Sequence, residues 1–178
     1  MENLRDYAFR IYPEVADTCM ALQDRHGCDV CMLLFCCWAG SVGAGPGTGA
    51  MRAASELSRH WSIGVVQPLR LARRSLAIAA PGDGVDQGAC NALARQIAEL
   101  ELTAETMQLQ QLQAILPGDA AARADRLQRC AGALSDYLKC SGTVPDTDCL
   151  DLLSTLLCKV VPEPDRARAR QALSATMA

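Results

Sequence analysis

Residues 30–38 leave no polar side to show water. Val30, Leu33, Leu34, Cys37 and Trp38 recur at i, i+3, i+4, i+7 and i+8, the spacing of one helical face, while Cys31, Met32, Phe35 and Cys36 fill the opposite one. A helix apolar all round is enclosed by other helices or by lipid. The charge-free run 30–51 reaches bilayer length, but the Gly-Ala-Gly-Pro-Gly-Thr-Gly stretch at 43–49 cannot hold a helix in lipid. The apolar part proper is about a dozen residues, too short to span. It predicts a core helix.

The flanking patterns predict further helices. Leu4, Tyr7, Ala8 and Ile11 mark a short first helix that Pro13 ends; Val15, Cys19 and Leu22 mark a second over 14–26. Gly27 suits the left-handed stop of that helix, and Asp29 the N-cap of the next. So short a connection packs the two as a hairpin. After a glycine-rich loop at 41–49, a helical segment covers 50–79, with Leu57, Trp61 and Val65 inward, then Leu69, Ala72 and Leu76, and a kink or break at Pro68.

A loop at 81–88 leads to the longest element, 89–116. One stripe of it carries Leu93, Ile97, Leu100, Ala104 and Met107, a second Leu102, Leu109, Leu112 and Leu116, so two neighbours are expected. Pro117-Gly118-Asp119 stops it. A helix over 120–139 turns Leu127, Cys130, Leu134, Tyr137 and Leu138 inward, and another covers 148–160. Beyond Pro162 and Pro164 the alternating Arg and Ala tail reads as a loosely docked end of about fifteen residues. No strand-like alternation or internal repeat appears. The fold predicted is all-α, a single-domain bundle of six to eight helices with a fully buried central helix. Residues 1–116 form its core and 117–178 add C-terminal helices packed on that core.

Composition agrees with helices, since 50% of residues are hydrophobic but only 4% aromatic. A net charge of −3 offers no footprint for nucleic acid. The ten cysteines raise the question of compartment. The N-terminal residues lack the layout of a signal peptide, which points to a reducing cytoplasm and thiols that act as small hydrophobes.

Three groups of residues could carry chemistry. Cys28 and Cys31, with Cys36, Cys37 and His26 nearby, have half the spacing of a zinc site, but the second pair is missing. Thiols filling a tight helix contact are the simpler reading, so no metal and no cofactor is expected, with Cys28 and Cys31 the weaker alternative. Arg70, Arg73 and Arg74 at i, i+3 and i+4 could grip a phosphate or carboxylate. They could equally pair with Asp24 and with Glu99 or Glu105 of neighbouring helices, and pairing is the favoured reading. Asp24, Arg70, Arg73, Arg74 and Glu105 are thus the expected inter-helix cluster and the candidate ligand site. Trp38 and Trp61 read as core anchors, or as the lining of a pocket. No Glu-x-x-His pair, P-loop, dinucleotide fingerprint or nucleophile elbow is present.

Leu22-Gln23-Asp24, Gly27 and Asp29-Val30 are followed by Leu33-Leu34-Phe35-Cys36 and Trp38. Further on come Val65-Val66, Pro68-Leu69-Arg70, Arg73-Arg74, and Glu99-Leu100-Glu101 with Glu105. Together these resemble a small proteobacterial family of unknown function over about residues 4–116. The resemblance implies a soluble helical bacterial protein and brings no activity or ligand with it. Members of that family usually lack cysteine where Cys28 and Cys31 stand, which weighs against a metal. The function expected is a cytoplasmic binding or adaptor protein acting through a protein partner or a small anionic ligand, with no nucleic acid and no membrane. An enzyme of unassigned class using the Asp/Glu/Arg cluster in an inter-helix cleft is the alternative.

Overall fold

Two small signals set the first corner of the bundle. In the computed structural model, which describes residues 2–78, 86–116, 125–162 and 165–177, Gly27 takes φ +68° and its N–H returns to Gln23 O. Only glycine adopts that backbone without strain. Two residues later Asp29 accepts from the backbone of Met32 and starts the next helix.

Among the described residues the chain forms α1 (Leu4–His26), α2 (Val30–Ser41), α3 (Thr48–Trp61), α4 (Gln67–Ile78), α5 (Gln87–Ile115), α6 (Arg126–Ser141), α7 (Thr147–Val160) and α8 (Arg166–Met177). A π-helical turn, Ser62–Val66, carries α3 into α4 without a gap. Counted as rods there are seven, and no strand occurs among the described residues. The all-α bundle with an enclosed central helix is therefore the fold. No helix among the described residues is long and apolar enough to cross a membrane.

α2 sits in the middle, packed by α1, α3, α5 and α6. Every residue from Cys31 to Gly40 is buried, including Leu34 at 4% and Phe35 at 0% exposure. Its closest neighbour is α6. A Cβ on Gly40 would stand 2.4 Å from Cys130 Sγ and 2.7 Å from the Cys130 backbone nitrogen, so the two backbones meet there. Cys36 donates to Ala133 O at 3.4 Å and Cys130 to Cys37 O at 3.5 Å. The thiols are the small side chains that let these helices approach.

Several elements differ from the expected ones. The first two helices are one, because Pro13 lies on the exposed side of α1, where the carbonyl it leaves unpaired is open to water. Leu4, Tyr7, Ile11, Val15, Cys19 and Leu22 then form a single buried stripe. The break expected at Pro68 comes one turn earlier, as the π turn, in which the Gln67 N–H reaches back to Ser62 O. Met51, Ala54 and Ser58 are the buried positions of α3, while Leu57, Trp61 and Val65 are half-buried. In α5 the expected stripes hold only in part: Ala104, Leu109 and Leu112 are inside, but Leu93, Leu100, Leu102 and Met107 are exposed, and Glu101 and Gln108 are buried instead. α6 begins at Arg126, where Asp125 and Gln128 form a capping box. The earlier part of the helix expected over 120–139 lies outside the described residues, as do Pro117-Gly118-Asp119, Pro164 and most of the 81–88 loop. α8 lies against α6 and α7, with Ala169 and Leu173 buried, Arg170 paired with Asp151, and Ser135 Oγ donating to Thr176 O at 2.9 Å.

Candidate functional site

α4 has no fully buried residue, only half-buried ones such as Leu69 and Leu76, and ion pairs add to its packing on α5. Arg73 forks onto Glu101, Nε to Oε1 at 2.6 Å and Nη2 to Oε2 at 3.2 Å. One turn away Arg70 donates to Glu105 Oε1 at 2.6 Å and to Gln23 Oε1 of α1 at 2.9 Å. Glu101 is 7% exposed, and both of its carboxylate oxygens are taken by the Arg73 guanidinium in the bidentate geometry. Burial pushes the Glu105 carboxyl up against the opposing pull of Arg70, with Asp29 and Glu101 adding to the rise.

A second node gathers on Asp29. Its Oδ1 caps α2, and its Oδ2 accepts from Ser58 Oγ at 2.8 Å and Gln108 Nε2 at 3.1 Å. Its backbone N–H donates to Tyr137 Oη at 2.8 Å. One residue thus ties together α2, α3, α5 and α6. The sequence marks Asp29 as a cap; nothing local marks the partners of its second oxygen.

Of the cluster expected from sequence, Arg70, Arg73 and Glu105 come together, and Gln23 and Glu101 complete it. Asp24 and Arg74 are exposed and stand outside. The correction has a simple cause: neighbours on a helix diverge by about 100°, so Gln23 and Arg73 face inward where Asp24 and Arg74 do not. Trp38 is buried with its ring against Phe35 and donates to Glu2 O at 2.9 Å; Trp61 is half-buried and donates to Ala104 O at 2.8 Å. Neither lines the cavities below.

Between the two nodes lies a cavity of about 160 Å³, lined by Gln23, Asp29, Arg70, Glu105 and Gln108 and by Ser62 and Val66 of the π turn. π turns recur at functional sites because they displace side chains that a regular helix would keep in register. Gly27, Asp29, Ser62 and Gln67 also line a wider trough of about 820 Å³ on the other side. Arg52, Arg59, Lys139, Glu56, Ser58 and Tyr137 line the rest of it. Neither Arg52 nor Arg59 has a carboxylate within 4.0 Å among the described residues. Ser55 Oγ, also on the trough, is buried without a hydrogen-bond partner. A third groove, apolar and about 100 Å³, runs between α1 and α5 along Phe9, Tyr12, Met20 and Leu102.

Cys28 and Cys31 are on the wall of the inner cavity. Burial pushes Cys28 up to about 12 and Cys31 well above the usual thiol range, so both stay protonated near neutrality. Among the described residues no group of three His, Cys, Asp or Glu is placed to hold a metal ion.

No curated protein and no solved structure matches the chain. A family model does, over α1 to α5, the part that holds Asp29, Ser58 and Gln108 and the arginine–glutamate clamp. The model is described as a protein of unknown function (DUF2390), it matches residues 4–112, more than half of the chain, and the chain belongs to that family.

Proposed function

We propose that this protein is a cytoplasmic, non-catalytic binding protein that takes a small anionic ligand in the trough beside α3. One observation carries the reading: Arg52 and Arg59 line that trough with no carboxylate within 4.0 Å among the described residues, whereas Arg70 and Arg73 are occupied by Glu105 and Glu101. Lys139 is the third cation on the trough, and Asp29 and Glu56 are its acids. A carboxylate or phosphate placed there gains the bidentate contact for which a guanidinium is shaped. At the Arg70–Arg73 clamp an anion would have to displace a buried carboxylate, which moves the expected anion site from α4 to α3. The enzymatic alternative draws less support, since the clamp's guanidiniums are already engaged. Cytoplasmic residence is supported by the cysteines, all ten of which are free thiols.

The test is a thermal-shift and calorimetric titration with acetate, succinate and inorganic phosphate. A ligand at a hundred times its Kd stabilises by about 2.7 kcal/mol, which raises Tm by about 5–10 °C in a chain of this size. Arg52→Ala and Arg59→Ala lie on the surface and should fold normally while losing the shift. No shift with any of the three anions, or one that survives both substitutions together, defeats the reading.

A second reading, docking of a protein partner, is favoured by the apolar surface of the α4–α5 pair, where Leu71, Ile78, Leu93 and Leu100 are exposed.

A further inference from the structure

The inner cavity and the trough meet at Asp29 but carry opposite signs. The inner cavity is lined by two carboxylates, Asp29 and Glu105, and one guanidinium, Arg70, so its wall is one positive charge short. Burial foremost, and then the nearby Asp29 and Glu101, raise the Glu105 pKa against the pull of Arg70. Acceptors are available there. Arg70 takes Glu105 Oε1 and leaves Oε2 without a donor among the described residues, and Asp29 stands on the same wall. The trough has the reverse balance, with Arg52, Arg59 and Lys139 against Glu56 and Asp29. On the trough side, Tyr137 is 4% exposed and accepts from the Asp29 backbone. Its own O–H has no acceptor among the described residues, and it lines the trough. A buried hydroxyl proton left over in that way is a donor in want of an acceptor.

We propose that the ligand is a zwitterion of the amino-acid class. Its ammonium enters the inner cavity between Asp29 and Glu105, and its carboxylate lies in the trough on Arg52 and Arg59 with Tyr137 donating to it. This rests on the anion-binding reading above and adds the second charge. A space of about 160 Å³ compares with a share of about 30 Å³ per liquid water. It therefore admits about five water-sized groups, an ammonium and up to about four carbons next to it, with the rest of the molecule outside. A metal ion does not meet the need, because the described residues do not bring three suitable ligands together. A primary ammonium has three N–H donors and is satisfied by acceptors as widely spread as these.

The experiment is calorimetry on the full chain with the ω-amino acids from glycine to 6-aminohexanoate. Each is compared with the carboxylate and the alkylamine of the same length. One chain length should bind at least tenfold tighter than either singly charged analogue. Asp29→Asn should abolish that advantage without weakening the carboxylate, since it removes one of the trough's two acids. Asparagine caps a helix as well as aspartate does, so α2 keeps its start, and Glu105→Gln gives a second reading of the same charge. Arg59→Ala should weaken the amino acid and the carboxylate alike. If carboxylates bind as tightly as the amino acids and both acid variants are silent, the zwitterion is wrong and the anion site stands. If amines bind as tightly as amino acids and carboxylates do not bind, or if nothing binds, the anion site falls and the zwitterion with it.

Discussion

α2 and α4 each have twelve residues, yet α2 buries ten of them and α4 buries none. The first is held by the hydrophobic effect, at about 1.5–3 kcal/mol for each large side chain taken fully out of water. The second is held by half-buried packing and by two arginines on two glutamates, ion pairs whose net worth is small because the guanidiniums remain in part wet. One molecule therefore contains a stiff centre and a lightly held arm, and the cavities lie between them. The π turn is the link: it leads out of α3, which the Asp29 node anchors, into α4, which is restrained by the clamp and by half-buried packing on α5. Local opening free energies follow burial, so amides of α4 should exchange well before those of α2.

Glycine substitutions make the sharpest break in the contrast. Gly40→Ala places a methyl group against the backbone of Cys130, which cannot rotate away, and α2 and α6 must separate. Overpacking of that kind should cost about 3 kcal/mol, read as a fall in the midpoint of urea unfolding at unchanged slope. Gly64→Ala, in the π turn, meets nothing within 4 Å and should be neutral or stabilise by up to about 1 kcal/mol through helix propensity. If the two variants behave alike, the difference between centre and arm is not real.

Next in size is the clamp. Arg73→Ala leaves Glu101 buried with only Arg70 Nε at 3.9 Å to balance it. Stripping a buried carboxylate of its partner costs about 3–5 kcal/mol when burial is complete. With the Arg73 side chain 38% exposed, water reaches the pair and about 1–2 kcal/mol is expected. The double variant Arg73→Ala, Glu101→Gln should recover part of this loss, because no charge is then stranded. A loss equal to that of the single variant would mean that the arginine acts by packing its stem.

Smaller still is the outer face of the arm. Leu100 is 55% exposed, and Leu100→Ser should change stability by less than about 0.5 kcal/mol. The same substitution tests the partner-docking reading, since it should weaken any complex formed on that face.

These cases also separate what was legible from what was not. α2 was readable because a segment apolar on all sides has one kind of place to go. Gly27 and Asp29 were readable because their effect is local. Pro13 misled because its cost depends on which side of the helix the ring occupies, and one continuous apolar stripe on the other side outweighs it. α5 misled more seriously: apolar stripes are assumed to face inward, but Leu93 and Leu100 face out. The inner face is taken by Glu101 and Gln108 because the arginines of α4 and the carboxylate of Asp29 are waiting there. Such a demand comes from residues distant in the chain, Asp29 from Gln108 by 79 positions. Periodicity within one helix does not carry it. The same holds for the site, where Arg70, Arg73 and Glu105 were legible as complementary charges, while Asp29 needed the fold to show what its second oxygen meets.

The smallest effect concerns Glu105 and its pH dependence. Burial raises its pKa above the ordinary 4.5 in spite of Arg70. The folded protein then holds a proton at this site over a pH range in which the unfolded chain has already released it. Stability changes with pH in proportion to protons bound by the unfolded state minus those bound by the folded one. That difference is negative here, so the contribution of Glu105 declines as pH climbs from about 4.5 through the raised value. Asp148, held below the usual range by hydrogen bonds from His26 and Arg25, and Glu2, held below it by Arg10, act in the opposite sense. The Glu105 contribution is therefore read as a difference: Tm of the wild type minus Tm of Glu105→Gln, followed from pH 4 to pH 8. The difference should fall with pH and level off once the carboxyl is ionised. A difference that grows with pH would mean that Arg70 outweighs burial. The cluster would then have no positive charge missing, and the cavity between arm and centre would have no use for an ammonium group.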